Sequence, residues 1–141
     1  MSPLIADKDI DFELSTQPCT VLAHDWMLRE LARNLLHNAI RHTPPQGHLA
    51  VHLLADAGMA VLLISDSGPG ISDVLRKRLF QPFATGNERT GTGLGLTIAR
   101  EILMSLHGTI QMTNRMKGHT IEGLDVVVQI PLFTPQTPSK T

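Results

Sequence analysis

The chain has 141 residues, of which 42% are hydrophobic and 18% charged, so it can bury one hydrophobic core as a single globular domain. Its formal net charge of −1 gives no general attraction for nucleic acid or an anionic membrane. A single cysteine, Cys19, excludes an internal disulfide and a cysteine-based metal site. The longest apolar run, residues 59–64, is far shorter than the roughly 20 residues that span a bilayer.

Five segments have the alternating or continuous apolar pattern of strands: residues 10–14, 48–54, 59–65, 110–112 and 124–132. In the first, Ile10, Phe12 and Leu14 alternate with polar neighbours. The turn at residues 56–58 ends in glycine and predicts a hairpin between the second and third strands.

The first predicted helix runs from Asp25, taken as its N-cap, to Thr43, because the prolines at 44–45 cannot continue it. Its apolar positions are spaced by threes and fours: Leu28, Leu31, Ala32, Leu35, Leu36 and Ala39.

A short second helix is predicted from Ser72, and a third over residues 95–107, with Gly108 as its C-terminal stop. The third has Leu96, Ala99, Leu103 and Leu106 on one face. Together the elements predict an α+β fold, a two-layer sandwich in which a mixed sheet of about five strands has three helices on one face. This domain is expected over residues 10–133, followed by a disordered polar tail at 134–141.

Three polar residues lie along one margin of the first helix: Asn34, Asn38 and Arg41. An asparagine oxygen is a hard ligand suited to Mg²⁺, and an arginine one turn further on suits a phosphate. Neighbouring loops could equally satisfy these amides.

Asp66 directly follows a buried strand pattern and is followed by Gly68 and Gly70. A carboxylate accepts a hydrogen bond from the exocyclic amine of adenine, and glycines let a flat ligand approach the backbone. A plain Asp-Gly turn is the alternative interpretation.

A third segment, residues 91–96 (GTGLGL), opens a helix with glycines, which favours phosphate binding at its N-terminus. It is not a Rossmann fingerprint, because Leu96 stands where the third glycine belongs, and it is not a P-loop, because Thr92 replaces the lysine. A flexible loop is the alternative. Just before this region, residues 79–83 place two phenylalanines around Gln81 and Pro82, a pattern that core packing alone also explains.

In order, these segments resemble the four boxes of sensor histidine kinases: the N box at 34–44 (NLLHNAIRHTP), the G1 box at 66–71 (DSGPGI), the F box at 79–83 (LFQPF) and the G2 box at 91–96. The resemblance covers residues 10–132 and implies the Bergerat fold, with ATP and Mg²⁺ as ligands. It implies that Asn38 holds Mg²⁺, that Asn34 and Arg41 face the phosphates, and that Asp66 binds the adenine amine.

By the same resemblance residues 84–95 form a lid over the ATP. The implied ATP-binding set is Asn34, Asn38, Arg41, His42, Asp66, Gly68, Gly70, Ile71, Phe83, Arg89, Gly91, Thr92, Gly93, Leu94, Gly95 and Leu96, with Asn34 and Asn38 as its catalytic members. The sequence departs from the family at His37, where an acidic residue is common, and at Thr85, where many members have arginine. Arg89 is then the cation expected in the lid.

The family's phosphoacceptor histidine lies in a separate helical dimerisation domain, and none of the seven histidines here has its sequence context. Residues 1–9 are accordingly interpreted as a truncated linker from that domain. The implied partners are the dimerisation domain and, indirectly, a response regulator. The resemblance implies a monomeric, cytoplasmic domain of a receptor anchored in the inner or plasma membrane.

Two other classes stay open. A free-standing serine kinase of the anti-sigma-factor type has the same fold but, like gyrase and Hsp90 ATPases, has a general-base glutamate four residues before the metal asparagine. Asn34 occupies that position here and cannot accept a proton. A module that binds nucleotide without transferring phosphate is the third possibility.

Overall fold

The computed structural model of the protein describes residues 8–72, 74 and 91–133, with the backbone alone described at 91–96. The elements in this part of the chain are β1 (Asp11–Thr16), α1 (Asp25–His42), β2 (His48–Asp56), β3 (Met59–Asp66), α2 (Gly91–Ser105), β4 (Thr109–Lys117) and β5 (Thr120–Pro131). No helix among them is long and apolar enough to cross a membrane.

The five strands form one mixed sheet in the order β1-β2-β3-β5-β4. The edge strand β1 runs parallel to β2, which it reaches through α1, and all other pairs are antiparallel. The predicted hairpin between β2 and β3 is confirmed, and both turn residues, Ala57 and Gly58, have positive φ values of 51° and 79°. Such a two-residue turn matches the twist of the strands that it joins.

The core lies between the sheet and the two helices. In β5 the even-numbered residues from Leu124 to Ile130 are buried, while Gln129 between them is exposed, as the alternation predicts. Leu35 of α1 and Leu103 of α2 belong to the same buried cluster. The predicted two-layer sandwich is therefore confirmed for the described elements. The short helix predicted from Ser72 lies mostly outside the described residues.

Helix α1 corrects one detail of the prediction. Its N-cap residue is His24, no side chain caps its first turn, and Asp25 is the first helical residue, where a carboxylate still complements the helix dipole. Its C-terminal end is as predicted, because Thr43 takes the extended conformation that a following proline imposes. Ile40, which the predicted apolar face omitted, is buried in the core.

Helix α2 begins at Gly91, four residues before the predicted start. Glycine has a low helix propensity, so the three glycines at 91, 93 and 95 conceal the start of this helix in the sequence. At its other end His107, and not Gly108, takes the left-handed conformation, with φ 60°. The N–H groups of His107 and Gly108 donate to the carbonyls of Met104 and Leu103, which is the Schellman pattern.

The first strand is less buried than its alternation predicts. Ile10 is buried but precedes β1, while Leu14 is 57% exposed within it. Since β1 is the edge of the sheet and pairs on one side only, its far end contributes little to the core.

Lys8 fixes the C-terminal end of α1. Its Nζ donates hydrogen bonds of 2.9 Å to the carbonyl oxygens of Ile40, Arg41 and Thr43. These carbonyls have no partner further along the helix, and a positive charge there also complements the helix dipole.

We expect Lys8→Met to lower the free energy of unfolding by about 1 kcal/mol, because three carbonyls lose a charged donor while the aliphatic part of the side chain is kept. Urea denaturation would measure the change. Lys117→Met, which removes the same charge from an exposed strand end, is the control. Equal effects of the two substitutions would contradict the capping role.

Candidate functional site

Two amide atoms on the last turns of α1 are buried without a hydrogen-bond partner in the described part of the chain: Nδ2 of Asn34 and Oδ1 of Asn38. The residues are four apart, so they lie on the same side of the helix. Buried polar atoms are nearly always paired in proteins, and an unpaired one costs about 1–3 kcal/mol. Two such atoms one helical turn apart make this side of α1 a candidate ligand-binding site.

The residues after Asn38 hold the end of this helix in place. The ring Nδ1 of His42 donates to the carbonyl oxygen of Asn38 at 2.9 Å, which leaves Nε2 for another contact. Thr43 is fully buried, and its hydroxyl donates to the carbonyl oxygen of Ala39 at 2.7 Å. Arg41 is exposed, so its guanidinium is free to turn toward a ligand.

Asp66 is the last residue of β3 and is only 2% exposed. Its Oδ1 accepts a hydrogen bond of 2.8 Å from the backbone N–H of Gly68. Burial raises the pKa of this carboxyl above its ordinary value of 3.8, because the charged form loses hydration. Hydrogen bonds from the Gly68 and Leu124 backbones and the charges of His42 and Arg115 oppose that rise in pKa without cancelling it.

Gly68 joins the two halves of the site. A Cβ at this position would collide with the carbonyl oxygen of His42, so only glycine lets the turn after β3 lie against the end of α1. Gly70 has φ 81°, a conformation that other residues rarely adopt. Ile71, which follows, is buried in the core cluster.

The structure thus brings together the parts of the predicted site that come from α1 and from the turn after β3. Phe83 and Arg89 lie outside the described residues, as does most of the predicted lid. Gly91, Thr92, Gly93, Leu94, Gly95 and Leu96 form the first turns of α2, and only their backbone is described.

Sequence reasoning missed two residues of β4 that bind the segment 66–71: Asn114, which bonds to the backbone of Ile71, and Arg115, which bonds to the backbone of Asp66. The alternation along β4 offered one signal. Asn114 follows Ile110 and Met112 at every second position, on the side of the strand that faces the core, where an apolar residue is expected. It also missed Thr43, whose burial no local pattern indicates.

Comparison with known proteins finds a family profile and relatives that match most of the chain. The profile of the histidine kinase-, DNA gyrase B-, and HSP90-like ATPases matches residues 25–134. RssA, a swarming motility regulation sensor protein of Serratia marcescens, is 32% identical over 144 residues, which cover 98% of this chain and 30% of RssA.

Two solved structures share the fold. The mycobacterial sensor histidine kinase MprB matches with a TM-score of 0.76 at 29% identity, over 92% of this chain and 88% of that one. Full-length ShkA, solved in complex with AMPPNP, matches with a TM-score of 0.76 at 25% identity, over 99% of this chain and 29% of ShkA. The chain therefore spans less than a third of the length of RssA and of ShkA.

The raised pKa of Asp66 has a consequence for stability. Between the pKa of the unfolded chain and the higher native pKa, the native state still holds a proton that the unfolded chain has released. The free energy of unfolding therefore falls as the pH rises through this range, and it stays lowered above the native pKa. This loss disappears as the pH falls to 3.8 and below, where both states are protonated.

We therefore expect Asp66→Asn to be more stable than the wild type at pH 7, with a difference that shrinks as the pH is lowered. Chemical denaturation at several pH values measures it. Asp56→Asn, at an exposed strand end, is the control and should show no such trend. An Asp66→Asn variant that is less stable than the wild type at pH 7 would refute this account.

Proposed function

Because the chain belongs to the family of histidine kinase-, DNA gyrase B-, and HSP90-like ATPases, we propose that it binds ATP with Mg²⁺ and donates the γ-phosphate to a histidine of a separate dimerisation domain. The observation that carries this proposal is the pair of unpartnered amide atoms on Asn34 and Asn38 of α1. The turn that follows the buried Asp66 lies against the end of the same helix, through the close approach of Gly68 to the His42 carbonyl. One end of the site then suits phosphates and a cation, and the other end suits a base.

The donor set fits Mg²⁺ that arrives with a nucleotide. Asn38 offers a buried amide oxygen, which is a hard ligand of the kind that Mg²⁺ prefers. The described residues contain no group of three His, Cys, Asp or Glu side chains that could hold a metal by themselves. Mg²⁺ is commonly bound by one or two protein groups together with substrate phosphates, so a single ligand is sufficient here. When bound, Mg²⁺ would neutralise part of the phosphate charge.

Asn34 has a different role in this proposal. Its unpartnered atom is Nδ2, a donor, which suits a phosphate oxygen or a water molecule and not a metal. An amide has no useful basicity, so it can orient a water molecule but cannot deprotonate one. The site should therefore hold ATP intact until an acceptor arrives, which suits a kinase better than an ATPase.

Asp66 supports the assignment of the base as adenine. Its carboxylate is buried and already accepts one backbone hydrogen bond, and its remaining acceptor capacity suits the exocyclic amine. Guanine has a carbonyl at the same place, and two acceptors would then face each other. The glycines at 68 and 70 keep the neighbouring backbone free of side chains.

We further propose that the domain works as part of a longer receptor protein. The chain covers 30% of RssA, so a longer protein of that kind would supply the dimerisation domain with its acceptor histidine and, through that, a response regulator as partner. The domain would work on the cytoplasmic side of a membrane-anchored receptor and be monomeric by itself. Of the predicted lid, residues 84–95, the part that precedes α2 would close over the nucleotide, with Arg89 on the phosphates, while residues 91–95 belong to the first turns of α2.

We expect Asp66→Ala to weaken ATP binding about ten- to hundredfold, because a hydrogen bond to a charged group is worth roughly 1.5–3 kcal/mol. Titration calorimetry with Mg²⁺ present measures the affinity, and the wild type should bind GTP much more weakly than ATP. Asp56→Ala, remote from the site at the hairpin turn, should bind ATP as the wild type does. Equal wild-type affinities for ATP and GTP would contradict the proposal that Asp66 recognises adenine.

Asn34→Ala should reduce phosphate transfer to the dimerisation domain of the full-length protein, while its stability stays within about 1 kcal/mol of the wild type because no hydrogen bond of Nδ2 is lost. Radiolabelled ATP measures transfer, and the product should be acid-labile and alkali-stable, as phosphohistidine is. His37→Ala, exposed on the same helix, is the control. An acid-stable phosphoserine would favour the anti-sigma type of kinase instead. If neither phosphohistidine nor phosphoserine forms, a module that only binds nucleotide is favoured.

A further inference from the structure

Strand β4 contacts both ends of the segment 66–71, which carries the buried carboxylate. At the far end, Oδ1 of Asn114 accepts from the N–H of Ile71 and Nδ2 donates to the carbonyl oxygen of the same residue, each at 2.8 Å. This pair of bonds has the donor and acceptor pattern of two paired strands. One side chain therefore fixes the backbone of Ile71 although no ladder reaches it.

At the near end, the guanidinium of Arg115 binds the backbone of Asp66 itself. Its Nη2 donates to the Asp66 carbonyl oxygen at 2.9 Å, and its Nη1 donates to Oδ1 of Asp125 at 2.5 Å. The hydroxyl of Ser65 donates to that same oxygen of Asp125 at 2.8 Å. Glu122 lies 3.7 Å from Nε. The arginine is thus held by two carboxylates and orients the main chain at the end of β3.

Two glycines leave the space that these contacts require. A Cβ at position 123 would collide with the carbonyl oxygen of Asp66 and with the Arg115 guanidinium. A Cβ at position 70 would collide with Oδ1 of Asn114. The register of β4 on β5 also shifts between Arg115 and Met116.

We propose that Asn114 and Arg115 are positioning residues for base recognition, which hold segment 66–71 so that the Asp66 carboxylate keeps one orientation toward the exocyclic amine of adenine. The inference rests on the proposed function, in which Asp66 binds that amine. Hydrogen bonds weaken steeply with misalignment, so a fixed acceptor distinguishes bases better than a mobile one. Neither residue needs to touch the nucleotide, since each acts through the backbone of the segment.

The electrostatics agree with this geometry. Arg115 is one of the charges that lower the pKa of Asp66 against the larger effect of burial. It therefore favours the ionised carboxylate, which is the form with acceptors only. The same side chain fixes the position of Asp66 and supports its charge.

The test compares ATP with purine ribonucleoside triphosphate, which lacks the 6-amino group, by titration calorimetry with Mg²⁺. The wild type should prefer ATP about tenfold or more, since one charged hydrogen bond separates the two ligands. Arg115→Met and Asn114→Ala should each reduce this ratio about three- to tenfold, mainly through weaker ATP binding. Lys117→Met and Thr113→Ala, which are exposed on the same strand, are the matched controls and should keep the wild-type ratio.

Arg115→Lys keeps the positive charge but replaces two donor nitrogens by one. It should therefore restore part of the preference for ATP that Arg115→Met loses. It also replaces Arg115→Met if that variant does not fold, and Asn114→Ser replaces Asn114→Ala in the same way. Folded variants that keep the wild-type ratio, or that bind both ligands more weakly in equal proportion, would overturn the positioning role alone. A wild type without a preference for ATP would overturn the adenine role of Asp66 and this inference with it.

Discussion

A carboxylate that is almost fully removed from water is costly to keep ionised, and the site is organised around that cost at Asp66. The fold offsets it with a backbone N–H from Gly68 and with the nearby positive charge of Arg115. Each of these partners can come close only where a side chain is missing. Gly68 lets the turn reach the end of α1, and Gly123 lets Arg115 reach the main chain of Asp66. The glycines around the carboxylate are therefore needed to keep a buried charge supported, besides giving a flat ligand access.

Helix α1 makes the core and the site depend on each other. Leu31 and Leu35 bury one side of the helix in the core, while Asn34 and Asn38 lie along the margin of that side. The position of the amides is thus fixed by packing, which holds a side chain better than a loop does. The end of the same helix is fixed by the buried hydroxyl of Thr43.

Local signals predicted α1, its end before the prolines, the β2–β3 hairpin and the acidic residue at the end of β3, because periodicity and turn chemistry act over a few residues. They failed where distant parts of the chain decide the outcome. Three glycines hid the start of α2, and Lys8 caps a helix end more than 30 residues away. Arg115 reaches Asp66 across 49 positions through a register shift that no local pattern encodes. Features set by near neighbours in the sequence were therefore easier to predict than contacts between distant segments.

The described part of the site combines three features that each disfavour the folded state without a ligand: an unpartnered donor on Asn34, an unpartnered acceptor on Asn38 and a desolvated carboxylate on Asp66. A sequence optimised for stability alone would pair or replace these groups, and natural proteins keep such features mainly where function requires them. Mg-ATP has the complementary chemistry, with phosphate oxygens for the donor, a cation for the acceptor and an amine for the carboxylate. All three groups lie on a helix or a strand and not on a loop, so packing sets the position of their backbone. A ligand of that kind would therefore bind to groups that are already dehydrated and oriented, so that more of the interaction energy is available for affinity and for discrimination between bases.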